Sequence, residues 1–159
     1  MQRKLAAVLL IGGSLLWIGL ILASPLARAQ GWSAASWIDL FFQQICHQIP
    51  ERSFHLDGHQ LPVCHRCLGI YLGFLGGALA LPFWHSLRRR LLAQPRLLLV
   101  GFGLMALDVF LLPNTWWSRL ATGFFAAFPV AVFVEMAFRQ LLPATFSIRQ
   151  PLQSIHARE

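Results

Sequence analysis

One short stretch of the chain holds three cysteines and four histidines, all with the chemistry of metal ligands. Cys46 is followed directly by His47, and Cys64 and Cys67 form a Cys-x-x-Cys pair further along. The two thiolates of such a pair converge on one ion from a single tight turn, and three cysteines with one histidine are a ligand set of tetrahedral zinc sites. The stretch therefore predicts a zinc site formed by Cys46, His47, Cys64 and Cys67.

The same cysteine pair supports a redox hypothesis. A Cys-x-x-Cys motif at the outer mouth of a membrane helix resembles that of the quinone-coupled thiol oxidases of the disulfide-forming pathway. His65 and Arg66, between the thiols, would lower a thiol pKa and favour attack by the thiolate. Those enzymes use a second loop cysteine pair, which residues 113–118 do not supply. A thiol–disulfide oxidoreductase using Cys64 and Cys67 with a quinone is therefore the alternative, and a disulfide that only staples the loop is a structural possibility.

The composition indicates the environment in which this stretch is held. The chain is 57% hydrophobic and 12% charged, whereas soluble domains average roughly 45–50% and 25%. The net charge of +7 comes from basic residues in short clusters between apolar runs, a distribution that orients membrane helices and does not form a nucleic-acid-binding face. We therefore predict a membrane protein whose partner is the lipid bilayer, with no nucleic acid.

Four apolar runs approach the 20 or so residues that a helix needs to cross a bilayer. The predicted spans are residues 5–27, 68–87, 97–112 and 120–142, with a Cys/His loop at 28–67 and a tail at 143–159, in a single membrane domain of residues 1–159. The predicted fold is an all-α integral membrane protein with four transmembrane helices and a small extracytoplasmic Cys/His cap. Ala27-Arg28-Ala29 also fits a signal-peptide cleavage site, but the first run is longer than usual for one, so we expect it to stay uncleaved.

Small residues recur at four-residue intervals in two of these runs. They are Gly69, Gly73 and Gly77 in the second run, and Gly123 with Ala127 in the fourth. Such faces let another helix approach closely. They also suggest a further alternative, a subunit or assembly factor of a membrane complex, which would bind a membrane-protein partner or a second copy of itself through these glycine-faced helices.

A turn is predicted between the cysteines. Asp57-Gly58 is a strong two-residue hairpin signal, and the turn would bring the Cys-x-x-Cys pair toward the first cysteine. Just before it, Glu51 follows a proline and is favoured at the start of a helical turn. Arg52 and Arg66 have the chemistry to bind lipid headgroups or an anionic substrate.

Arginine and lysine are unevenly distributed over the two sides of a four-span protein. Nine lie in the N-terminal segment, the loop at residues 88–96 and the region from residue 139 onward, and four lie on the other side, namely Arg28, Arg52, Arg66 and Arg119. Positive charge favours the cytoplasmic side. We therefore predict a multi-pass protein of the inner or plasma membrane with both termini cytoplasmic and the Cys/His loop outside.

One acidic residue lies inside a predicted span. Asp108 is about 7 Å from the outer end of the third run, at the 1.5 Å rise of a helix, and such residues mark functional or bridging positions. Arg119, at the start of the fourth run, is its predicted ion-pair partner. The alternative is that Asp108 orients His47 or Arg66 from behind.

The motifs resemble one known family. The strings CHQ-x-PERSF from Cys46 and PVC-x-RC-x-GIY-x-G from Pro62 are similar to the signature of the prokaryotic membrane proteins grouped as "domain of unknown function 2085". Polar and small positions of that family further along correspond to Asp108, Asn114, Arg119, Thr122 and Gly123. The chain departs at Val109, where the family has glycine, and at His65, where we expect a small residue. The resemblance covers residues 46–123 and implies membership without an activity.

Overall fold

The computed structural model of the chain describes residues 2–80, 85–111 and 113–146, and most of them are helical. The helices are α1 (Gln2–Ala29), α2 (Ala34–Gln43), α3 (His65–Ala80), α4 (His85–Ala93), α5 (Leu97–Phe110), α6 (Trp116–Ala127) and α7 (Val130–Phe146). A single turn of 3-10 helix, Pro50–Arg52, precedes two short strands, β1 (Ser53–Leu56) and β2 (His59–Cys64).

Two helical stretches are long and apolar enough to cross a membrane. They are Leu5–Ala29 in α1 and Trp116–Phe138, which runs through α6 into α7, while α5 is a shorter apolar helix. Residues 81–84 of the second predicted span and 147–159 of the predicted tail lie outside the described residues. The fold is therefore mostly helical with two candidate membrane-spanning helices.

We expected the fourth apolar run to form one continuous helix, but it forms two. Helix α6 ends at Ala127 and α7 begins at Val130, with a turn at Phe128 and Pro129 between them. Proline has no backbone N–H to donate, and its ring clashes with the preceding turn of a helix. Pro129 is therefore the physical reason for the break.

Helices α3 and α6 pack with their backbones in close contact. A Cβ atom added at Gly69, Gly73 or Gly77 would overlap the backbone oxygen of Leu120, Phe124 or Phe128 respectively, and one at Gly123 would overlap the backbone oxygen of Arg66. The predicted glycine face is thus confirmed as a helix-packing face. Its neighbour is α6 of the same chain, so a partner protein would have to bind elsewhere.

Two hydrophobic clusters lie at different ends of the bundle. The first contains Ile21, Phe42 and Cys46 and draws in residues of β2 and the start of α3, whereas the second centres on Ala78 and Ala131. The first cluster joins α1 and α2 to the hairpin. Cys46 belongs to this cluster, and Cys64 and Cys67 pack against it.

The hairpin corrects the all-α expectation. Strands β1 and β2 are antiparallel, with Leu56 opposite His59 and Ser53 opposite Cys64. Asp57 and Gly58 between them have φ values of +50° and +77°, the left-handed pair required by a two-residue type I′ turn. The predicted turn is therefore confirmed, and it carries two short strands, a feature that an all-helical description misses.

Candidate functional site

Three separate elements bring the cysteines together. Cys46 follows the C-terminal end of α2, Cys64 ends β2, and Cys67 lies in the first turn of α3. Their sulfur atoms all lie within 4.8 Å of one another. Cys46 is buried and the other two are half-buried. The hairpin folds the chain back between Cys46 and Cys64. The turn at its tip therefore brings these two cysteines together.

A backbone N–H group points into the cluster. The amide of Cys64 donates to the Cys46 Sγ at 3.2 Å. Sulfur is a weak acceptor when it carries a proton and a strong one when it is charged. The bond would therefore strengthen if a metal ion bound Cys46 as the thiolate, which is the form that binds metal.

Two glutamines hold the segment after Cys46 in place. Gln48 has a φ of +50°, and its side-chain amide donates to the backbone oxygens of Asp39 at 2.8 Å and Pro62 at 3.0 Å. The Gln60 amide in turn donates to the backbone oxygen of Gln48 at 2.6 Å. These bonds tie α2, the Cys46 segment and β2 into one unit. Neither glutamine could be singled out from the sequence, because no motif marks an amide that satisfies backbone oxygens.

The remaining predicted residues of the stretch lie at its surface. His47 is exposed and is not one of the grouped ligand residues. Glu51 and Arg52 are exposed in the 3-10 turn that the sequence led us to expect there. The structure thus brings together three of the four predicted metal ligands and places the fourth beside them in the chain but on the outside.

The thiols of the cluster are not equivalent. Hydrogen bonds from Cys46 and Cys67 lower the pKa of the Cys64 thiol far below that of a free cysteine. The interactions with Cys46 and Cys64 raise the pKa of Cys67, and burial adds to that rise. When no metal is bound, Cys64 is therefore more easily deprotonated than Cys67, which keeps its proton.

Arg66 anchors the turn between Cys64 and Cys67. Its Nη2 donates to Asp108 Oδ2 at 2.5 Å and to Asn114 Oδ1 at 3.2 Å. The Asp108 side chain is fully buried, whereas that of Arg66 is 23% exposed. Thr122 Oγ1 lies 3.4 Å from the same carboxylate oxygen. The first turn of α3 is thereby fixed to α5 and α6.

The predicted ion pair between Asp108 and Arg119 is wrong. The Asp108 carboxylate pairs with Arg66, and Arg119 instead donates from Nε to Asn114 Oδ1 at 2.7 Å. The alternative prediction, in which Asp108 orients Arg66, matches the structure. Asn114 joins the two arginines, and its φ of +53° is a conformation that asparagine tolerates better than most residues.

A second carboxylate, which is half-buried, lies on α2, the helix that precedes Cys46. Asp39 of α2 forms an ion pair with Arg28 near the end of α1 and accepts a hydrogen bond from Ser24, which is itself fully buried. These contacts fix α2, and with it Cys46, against α1. The sequence did carry a signal for Asp39, since it is the one acidic residue between residues 1 and 50.

Comparison with known proteins identifies a family and two relatives that this chain resembles. The sequence profile of a family described as "Predicted membrane protein (DUF2085)" matches residues 46–133. An uncharacterized protein of Methanocaldococcus jannaschii is 30% identical over 156 residues, covering 91% of this chain and 99% of that protein. An uncharacterized protein of Methanothermobacter thermautotrophicus is 62% identical over 32 residues, covering 20% of this chain and 29% of that protein. No solved structure matches the chain.

Proposed function

Since this chain belongs to the DUF2085 family of predicted membrane proteins, we propose that it is a membrane protein built around a zinc site at Cys46, Cys64 and Cys67. The observation that carries the proposal is the convergence of three sulfur atoms from three different elements. Cysteine thiolates are common ligands of structural zinc sites in proteins. A bound zinc ion would therefore join α2, the hairpin and α3 at one point.

The spacing of the sulfurs fits this ion. In a tetrahedral site with Zn–S bonds of about 2.3 Å, neighbouring sulfurs are roughly 3.8 Å apart. The three sulfurs of the cluster lie within 4.8 Å of one another, so closing on an ion requires movements of about 1 Å or less. The amide of Cys64, which donates to Cys46 Sγ, would stay bonded to a metal-bound thiolate and stabilise its charge.

We propose His47 as the fourth ligand. It directly follows Cys46 in the chain, and its exposed ring is free of the packing that would hold it away from the sulfurs. Rotation of its side chain toward the cluster would complete a Cys3His site, which is a known structural zinc set. If His47 stays outside, a water molecule or a substrate would take the fourth position, as in catalytic zinc sites.

Metal analysis of the purified full-length protein tests both parts of this proposal. We expect one zinc per chain in the wild type and its loss in Cys64→Ser. His47→Ala should weaken zinc retention against a chelator, whereas His55→Ala, which alters another exposed histidine of the same stretch, should leave it unchanged. Wild-type protein that is metal-free when prepared in zinc-containing medium would overturn the zinc site. Equal zinc retention in the two histidine variants would overturn only the role of His47 and would leave the three-cysteine site unaffected.

A second function, thiol–disulfide exchange, is favoured by the unequal thiols. The pKa of Cys64 is lowered and that of Cys67 is raised, which is typical of a nucleophilic thiolate beside a protonated partner. In this reaction the two thiols would form a disulfide and pass two electrons and two protons to a quinone, giving a quinol. A Cys64–Cys67 disulfide that re-forms on addition of a quinone to reduced, zinc-free protein would support this function. A pair that stays reduced in the presence of quinone would exclude it.

We also propose four membrane spans with both termini in the cytoplasm and the Cys/His cap outside. The charge asymmetry supports this orientation. The Arg66–Asp108 ion pair is consistent with it, because the pair needs the start of α3 and the far end of α5 to lie at the same end of the bundle. A reporter fused after Arg90 should be active in its cytoplasmic form. Activity of a periplasmic reporter at that point would overturn the orientation.

A further inference from the structure

Helix α2 runs back along α1 instead of lying across its end. Asp39 of α2 pairs with Arg28, which lies in the last turn of α1. The two rings that follow in α2, Phe41 and Phe42, pack edge-on against Trp17, with centroids 5.6 and 5.3 Å from that of the indole. Later residues of α2 therefore contact earlier residues of α1, so the two helices are antiparallel.

The position of Trp17 in α1 indicates how deep α2 reaches. No charged residue lies between Lys4 and Arg28, and Trp17 is the middle residue of the candidate span Leu5–Ala29. A hydrocarbon layer of about 30 Å centred there ends about ten residues away, at a rise of 1.5 Å per residue. That boundary falls just before Arg28. A helix that touches Trp17 from the Arg28 end therefore has its second half inside the layer.

The outward face of α2 is apolar. Trp37, Leu40 and Phe41 are exposed by 74%, 52% and 52%, and their spacing of three and four residues puts them on one face of the helix. The buried residues Ala35 and Phe42 lie on the opposite face. The only charged residue of α2 is the aspartate that pairs with α1. The exposed face thus has no charge to place in water.

This face continues the lipid-facing surface of α1. Leu16 and Leu20, next in the chain to residues that pack against α2, are exposed on the span. In a family of predicted membrane proteins, exposed leucines of a span meet acyl chains. Tryptophan prefers the boundary between headgroups and chains, and Trp37 lies one helical turn nearer to the boundary than Phe41. The order of residues along α2 therefore fits the bilayer as the occupant.

The segment after α2 is built for the same environment. Non-helical backbone at membrane depth must find its hydrogen bonds within the protein, because hydrocarbon offers no water. The Gln48 amide donates to the backbone oxygens of Asp39 and Pro62, and the Gln60 amide donates to that of Gln48. Side chains thus supply the donors that water would supply to a loop outside the membrane.

We propose that α2 is a re-entrant helix, which enters the bilayer beside α1 and does not cross it. Leu40 and Phe41 lie among the acyl chains of one leaflet, and Trp37 lies at the level of the headgroups. The bilayer, not a second protein, covers this face. Since Cys46 closely follows α2, the helix anchors the cysteine cluster to the membrane. This interaction goes beyond the proposed zinc site and does not require a metal.

Photo-crosslinking of the full-length protein in bilayers of dioleoylphosphatidylcholine tests the proposal. Benzoylphenylalanine, introduced in place of Leu40 or Phe41, reacts on irradiation with C–H bonds that lie against it. Mass spectrometry of the intact protein should then show the added mass of one phospholipid at both positions. The same adduct is expected at Leu16, which is 68% exposed on the span and is the positive control.

Asp57, at the tip of the hairpin, is the matched negative control. It is exposed and charged, so a label there should face water and give no phospholipid adduct. All four replaced side chains are exposed, so the buried core stays unchanged. A lack of phospholipid adducts at Leu40 and Phe41 would overturn the proposal, as would equal adducts at Asp57. Crosslinks from Leu40 or Phe41 to a second copy of the chain would also overturn it.

Tryptophan fluorescence provides a measurement that needs no crosslinker. In bilayers whose lipids carry bromine on their acyl chains, the emission of Trp37 should be quenched. The wild type should therefore lose a larger fraction of its emission than Trp37→Phe. Equal fractional losses would contradict the position proposed for Trp37. Zinc content should be the same in both proteins, so failure of the membrane contact and failure of the zinc site are distinguishable.

Discussion

The ion pair between Arg66 and Asp108 should be a major stabilising contact of the bundle. Two unit charges 2.5 Å apart attract by about 7 kcal/mol at an effective dielectric constant of roughly 20. Burial of both groups opposes much of this energy. Removal of one partner, which leaves a buried charge uncompensated, typically costs about 3–5 kcal/mol. Since Asp108 is fully buried, we expect the removal of Arg66, which leaves this carboxylate unpaired, to cost an amount in that range.

Three variants test this expectation in a double-mutant cycle. Arg66→Met should lower the free energy of unfolding by about 3–5 kcal/mol. Asp108→Leu should lower it by less, because the arginine that it leaves unpaired is 23% exposed. The double variant should lose much less than the sum of the two, because no buried charge is left without a partner. Unfolding of the detergent-solubilised protein by added SDS, followed by far-ultraviolet circular dichroism, gives these free energies. Both single variants should also release zinc more readily, because Arg66 fixes the turn between Cys64 and Cys67.

The control for this cycle is an arginine outside the bundle. Arg52 is exposed, and Arg52→Met should change the free energy of unfolding by no more than about 0.5 kcal/mol. Single variants of the buried pair that unfold like the wild type would refute the reasoning. Additive losses in the double variant would also refute it, because additivity means that the two side chains do not stabilise each other.

The other expectations concern helix packing, the hairpin turn and thiol reactivity. Gly73→Leu should prevent α3 from packing on α6 and yield little folded protein in detergent gel filtration, whereas Gly19→Leu, at a position surrounded by open space, should elute like the wild type. Gly58→Val should lower the free energy of unfolding by about 1–2 kcal/mol, because valine is strained at a φ of +77°. In zinc-free, reduced protein, the pKa of Cys64 is lowered, so its alkylation by iodoacetamide should persist as the pH falls from 9 to 6 while that of a free cysteine declines. Cys67, whose pKa is raised, should stay unreactive over the same range, and mass spectrometry showing equal alkylation of the two would contradict the assignment.

Features fixed by local chemistry were predictable from the sequence. The turn at Asp57 and Gly58 needs two residues that tolerate positive φ, and this pair is a common solution. The close packing of α3 is likewise predictable from its glycines, since only they leave room for another backbone. Both predictions depend on a few neighbouring residues, and both are confirmed.

Features that depend on helix rotation were not predictable in the same way. Arg66 and Arg119 were both expected near Asp108, and only the rotation of α3 about its axis decides which guanidinium reaches the carboxylate. Pro129 is itself a helix-breaking signal in the sequence. The residues on both sides of it are apolar, so the run was interpreted as one span. Asp39 was missed because its partner Arg28 lies on another helix, and no periodicity links the two.

X-ray absorption at the zinc K edge of the purified full-length protein tests the central claim most directly. The proposed site predicts one zinc per chain with three sulfur neighbours at about 2.3 Å and one nitrogen neighbour at about 2.0–2.1 Å, the nitrogen signal being lost in His47→Ala. Protein that holds no zinc and yields a Cys64–Cys67 disulfide in non-reducing peptide mapping would contradict the claim. So would a zinc ion bound without sulfur neighbours.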